Sequence, residues 1–138
     1  MNKKLQIFFA ILAGIITMCL AGLILFPVLK WIIIKNLHLF EKSSALNGFV
    51  IYGSSFLFIA VSSFSGGLVT AFAVPERNIF YSFITGVISF VLVVCFSFYQ
   101  QAGFNLPGLL YGIEVIIFSL IGGMIQRKIA LRKYKQHN

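Results

Sequence analysis

The sequence predicts an all-α, polytopic membrane protein whose four transmembrane helices form a compact bundle. Three observations predict it. The 138 residues are 59% hydrophobic and only 10% charged. Four apolar runs are separated by charged or turn-forming segments, and most of the bases fall on one side of those runs. Soluble domains are typically about 45–50% apolar and ~25% charged. An ordinary soluble enzyme is therefore excluded, and so is a disordered chain, which needs low hydrophobicity. Mean hydropathy of +0.98 points the same way. One transmembrane domain over 1–138 is expected, with spans at about 5–29, 49–74, 79–99 and 107–126 and a basic cytoplasmic tail over 127–138.

The first uncharged run extends from Leu5 to Leu29, between Lys4 and Lys30. Twenty-five residues make a helix ~37 Å long, enough to cross a ~30 Å hydrocarbon core with tilt. Lys3-Lys4 before an apolar stretch imitates a signal peptide. Met18 precedes Cys19, however, where a lipoprotein cleavage site needs a small residue, and the apolar run continues for ten residues beyond it. The segment reads as an uncleaved anchor. In the connection from Lys30 to Gly48, Trp31, Ile32 and Leu39 fall off the face made by Ile33, Leu37 and Phe40. Amphipathicity is thus poor, and a helix continuing past Pro27 into the interfacial belt, where Trp is favoured, is expected instead.

The second run has its apolar body from Phe49 to Val74. Pro75-Glu76-Arg77-Asn78 makes a turn, with Pro stopping one helix and Asn78 suited to cap the next. The third span follows from Ile79 to Tyr99, and the segment Gln100 to Gly108 breaks the pattern, with Pro107 suited to a helix start. Only 12 residues separate Glu114 from Arg127, too few to span a bilayer. The fourth crossing must therefore take Glu114 inside it, unless the segment is re-entrant. Charge decides between these. With four crossings, Lys3, Lys4, Arg77, Arg127, Lys128, Arg132, Lys133 and Lys135 share one side, against Lys30, Lys35 and Lys42 on the other. The positive-inside rule then puts both termini in the cytoplasm. Small size and the absence of organelle signals suggest a bacterial inner membrane.

Helix association in lipid relies on backbone approach over small residues. Such residues recur four apart as Ala10/Gly14, Ser62/Gly66, Ser63/Gly67, Ser82/Gly86, Gly108/Gly112 and Ser119/Gly123. Gly14, Gly66, Gly67, Gly86, Gly108, Gly112, Gly122 and Gly123 are the expected packing positions. Ser63-Phe64-Ser65-Gly66-Gly67-Leu68-Val69 also matches Ser119-Leu120-Ile121-Gly122-Gly123-Met124-Ile125 as a faint repeat. Two helical hairpins of like orientation, related by an axis along the membrane normal, would account for it, although convergent packing explains it equally well.

Glu114 is the one Asp, Glu, Lys, Arg or His inside a span, ~10 Å below the external boundary. Such residues face a bundle interior or a water-filled path. Tyr52, Ser54, Ser55 and Ser89 lie at a depth where they would serve as its partners. Proton or cation handling is one reading, and an interhelical or intersubunit hydrogen bond is the other. Arg127, Lys128, Arg132, Lys133 and Lys135 are placed to meet lipid headgroups.

Catalytic chemistry is not expected. The chain contains no Asp, and Glu41, Glu76 and Glu114 lie in different places by topology. Cys19 and Cys95 fall inside apolar stretches without CxxC spacing, and His38 and His137 lack a second ligand, so neither a metal nor a cofactor is expected. The basic balance of +8 comes without any nucleic-acid motif. Holins share the small size and basic tail, a likeness of composition alone. Ser65 to Phe72 is slightly similar, over eight residues, to the Gly-Gly and Thr-Phe motifs of fluoride channels, but the other signatures of those channels are missing, and no family is assigned. Small multidrug transporters carry their membrane glutamate in the first helix, unlike this chain. The expected function is that of a non-enzymatic accessory, assembly or structural subunit of a membrane complex, with lipid and other membrane subunits or a second copy as partners. A small proton- or cation-coupled transporter using Glu114 is the second reading, and a holin-like pore former the third.

Overall fold

A computed structural model of the chain describes residues 3–35, 44–74, 78–99 and 106–136, all but one of them helical. The helices are α1 (Lys3–Lys35), α2 (Ser44–Ala73), α3 (Asn78–Tyr99) and α4 (Leu106–Gln136). Three stretches, Lys3–Trp31, Tyr52–Ala73 and Gly108–Arg132, are long and apolar enough to cross a membrane, and α3 adds the shorter apolar stretch Ile79–Cys95. These apolar helices suggest a membrane protein. Lys42, the Pro75-Glu76-Arg77 turn, His38, Glu41, the segment 100–105 and His137 lie outside the described residues.

Each helix extends further than hydropathy alone implied at one or both ends. α1 continues through Pro27 to Lys35. A single proline removes one N–H and crowds only the carbonyl four residues before it, and no second breaker follows. Lys35 Nζ lies 4.7 Å from the Trp31 ring centre, a cation–π contact that places a positive charge in the last turn, where the helix dipole favours it. α4 is one continuous helix with Glu114 within it. Residues 127–136, most of the expected basic tail, continue α4 as helix, because no Gly or Pro follows Gly123 and Gln, Arg, Lys, Ala and Leu are strong helix formers.

α2 packs extensively on α1 and on α4, and less on α3. α3 packs on α4 and only slightly on α1, and among the described residues the backbones of α1 and α4 do not approach each other closely. The two Ser-apolar-x-Gly-Gly segments lie against each other across the α2–α4 seam. The α2–α3 contact has no α1–α4 counterpart, so the two hairpins are not arranged about a twofold axis.

The interior is made of small side chains. Ala10, Ala60, Ala71, Val74 and Val115 are the buried apolar residues, alongside buried Ser62, Ser63, Thr70, Ser82, Thr85, Ser89 and Ser119. Large apolar side chains such as Phe8, Leu23, Phe26, Leu57, Phe72 and Leu110 are exposed. A soluble protein buries such residues. This arrangement suits apolar surroundings, where bulk can face outwards and backbones approach over small groups.

Candidate functional site

Bonds between helices run through the whole bundle at one level. Ser119 Oγ donates to the Ser82 carbonyl at 2.7 Å, joining α4 to α3. Ser82 Oγ donates to the Gly67 carbonyl at 2.9 Å, joining α3 to α2. Thr70 Oγ1 lies 3.4 Å from the Ala10 carbonyl on α1 and 3.0 Å from Thr85 Oγ1 on α3. The two threonines have two protons to share between each other and the carbonyls of Ala10, Gly66 and Tyr81. Gln6 Nε2 adds a bond to the Ala73 carbonyl at 3.3 Å.

Glycine makes these approaches feasible. A Cβ on Gly67 would run into the Ser119 carbonyl, and one on Gly122 into the Phe64 carbonyl. Gly14 and Gly66 face each other, each Cβ position lying 2.8 or 2.7 Å from the other's carbonyl oxygen. Gly86 meets Ile116 and Ser119, Gly112 meets the Phe90 ring, and Gly123 meets Ser82. Gly108 is partly buried near the start of α4. The spacing of small residues pointed to these positions. It did not point to Thr70 and Thr85, which are fully buried and carry the α2–α3 hydroxyl contact; their only signal is a polar residue inside an apolar helix.

The intramembrane polar set is dispersed. Glu114 is 6% exposed, and its Oε1 has no hydrogen-bond partner. Gly86 meets Ile116 and Gly112 meets Phe90, so Ser89 comes level with Glu114 on the facing helix. The Ser89 hydroxyl nevertheless also lacks a partner, so the two are not bonded to each other. Tyr52 is 62% exposed on α2. Ser54 and Ser55 line a cleft of about 530 Å³ with Phe26, Lys30, Phe58 and Tyr111. Ser89 lines a second cleft of about 260 Å³, and Glu114 lines neither. Arg127, Lys128 and Arg132 are exposed on the last turns of α4, while the side chains of Lys133 and Lys135 lie outside the described residues. Among the described residues, no group of His, Cys, Asp and Glu is placed to hold a metal ion.

Comparison with protein-family models, curated protein sequences and solved structures gave no match to this chain.

Proposed function

We propose that the chain is a small, non-enzymatic multi-pass membrane protein that serves as an accessory, assembly or structural subunit of a membrane complex. It crosses the bilayer four times with both termini cytoplasmic, in keeping with the eight bases assigned to that side, in a bacterial inner membrane. The observation that carries this reading is the interlocked seam of α2, α3 and α4. Gly67 on Ser119 and Gly122 on Phe64 bring backbones into contact, and the Ser82 hydroxyl ties α3 to the Gly67 carbonyl. Helices locked in this way favour a static scaffold over one that rocks to admit a substrate. The exposed apolar side of α1 is left for lipid, another subunit or a second copy. Purification in mild detergent followed by gel filtration tests the reading. A stoichiometric, unrelated membrane protein that stays bound supports it. A homodimer alone that conducts protons in proteoliposomes overturns it.

A second reading, a small proton- or cation-coupled transporter, is favoured by one observation: the buried, unpartnered Oε1 of Glu114. Buried carboxyls without an internal partner are where ion-handling sites are expected in membrane helices.

A further inference from the structure

The cleft of about 530 Å³ lies where the C-terminal part of α1, the N-terminal half of α2 and the start of α4 come together. Ligand pockets typically run from roughly 300 to 1,000 Å³. α2 forms its floor with Ser54, Ser55 and Phe58, α1 one wall with Phe26 and Lys30, and α4 the other with Tyr111. It opens sideways between α1 and α4, whose backbones do not approach each other closely. Its exposed lining is mostly apolar, with a smaller polar part.

Polar and apolar character are separated along the cleft. α1 and α2 run antiparallel, since Gln6 meets Ala73 and Gly14 meets Gly66. Lys30 therefore stands one turn nearer the end of the bundle than Phe26, and Ser54 and Ser55 one turn nearer that same end than Phe58. The deeper part holds the Phe26 and Phe58 rings, packed edge to face at 6.4 Å between centres. Phe26 is also 62% exposed, so the opening faces surroundings that suit apolar groups.

The charge at the outer part is uncompensated. Lys30 is exposed, and Glu114, the one carboxylate among the described residues, does not line the cleft. Lys35 is placed differently: its ammonium lies over the Trp31 ring, and it takes no part in the lining. A lysine stem can lie along apolar surface while its ammonium reaches the headgroup level. A plain hydrocarbon in this cleft would leave the ammonium unmet, and a zwitterionic lipid would bring a second ammonium near it. A soluble anion would leave the apolar floor unused.

We propose that this cleft seats one anionic phospholipid, with its phosphate at Lys30 and an acyl chain along Phe26 and Phe58. The site goes beyond the subunit reading and lies at the opposite end of the bundle from Arg127, Lys128 and Arg132. Its test needs only the purified protein, so its failure leaves that reading standing.

Native mass spectrometry of the protein in detergent, titrated with phosphatidylglycerol or with phosphatidylcholine of the same chains, tests it. One phosphatidylglycerol should bind saturably, about fivefold tighter than phosphatidylcholine, the scale of one lysine near an anionic headgroup. Lys30→Gln should abolish that preference, while Lys30→Arg, Lys35→Gln and Lys128→Gln keep it. Because Lys30 is exposed, Lys30→Gln should unfold at the wild-type temperature without lipid. Phe26→Ala should weaken both lipids alike, by about threefold or more, through lost chain contact. Glycerol 1-phosphate, which carries the charge without the chains, should not bind measurably. Equal affinity for the two lipids would overturn the proposal, as would a preference that survives Lys30→Gln. Loss of the preference in Lys35→Gln as complete as in Lys30→Gln would reduce it to the attraction of a basic helix end and overturn it too. Glycerol 1-phosphate binding as tightly as the lipid would replace it with a free-phosphate site.

Discussion

Gly67 on α2 and Ser119 on α4 touch backbone to backbone: a Cβ on the glycine would stand 2.7 Å from the Ser119 Cα and overlap its carbonyl. A backbone cannot yield as the end of a flexible side chain does. Gly67→Ala should therefore destabilise the bundle by about 1–3 kcal/mol, the usual range for over-packing, and Gly67→Leu by more. Gly123→Leu should behave similarly against Ser82. Leu57→Ala and Leu92→Ala, at exposed positions, should change stability by less than about 0.5 kcal/mol. Thermal unfolding in detergent measures all of these, and silent glycine variants would refute the seam.

The interhelical bonds should differ in coupling. Ser119 bonds the backbone carbonyl of Ser82, which survives Ser82→Ala, so the two alanine substitutions should couple only indirectly, through the Gly67 contact they share, and less than the two threonines do. Thr70 and Thr85 meet through their hydroxyls, so Thr70→Val and Thr85→Val should couple by roughly 0.6 kcal/mol, the scale measured for hydrogen bonds between membrane helices. Two double-mutant cycles check the contrast.

Glu114 separates the two functional readings. Glu114→Gln keeps the size and hydrogen-bonding capacity of the side chain but has no proton to release. If the carboxyl bonds a partner subunit, Gln should preserve the complex while Ala weakens it. If it carries protons or cations, Gln should fold normally and abolish a pH-driven flux in proteoliposomes. The subunit reading expects the first pattern.

For topology, single cysteines at Lys42 and Gln101 should label from outside the cell with an impermeant reagent, and cysteines at Arg77 and Lys133 should not. Outside labelling at Lys133 would contradict four crossings.

Helix number and order were legible because charges interrupt the apolar runs at Lys30, Lys42, Glu76 and Arg127, and the turn-forming segment Gln100 to Gly108 divides the third run from the fourth. Helix ends were less so. Hydropathy marks where apolar character stops, whereas the helix stops only at a breaker, and none intervenes between Gly123 and Gln136. The small-residue spacing identified Gly67 and Gly123 as contact positions without naming their partners, since a period within one helix carries no information about the facing one. Tyr52 shares only its depth with Glu114. Depth does not fix azimuth, and each residue turns 100° from the last, which leaves the tyrosine on the outside.

The small-residue interior also dictates a calorimetric signature. Heat-capacity change on unfolding follows the apolar area newly given to water. Here the bulky apolar side chains already face outwards, and separating the helices within a detergent micelle would uncover mainly hydroxyls, alanines and glycine backbone. Loss of helix contact should then proceed with almost no heat-capacity step and a nearly temperature-independent enthalpy. Such a bundle would have no cold-side instability of hydrophobic origin, and its tolerance of temperature would be governed by how well its surfaces mesh.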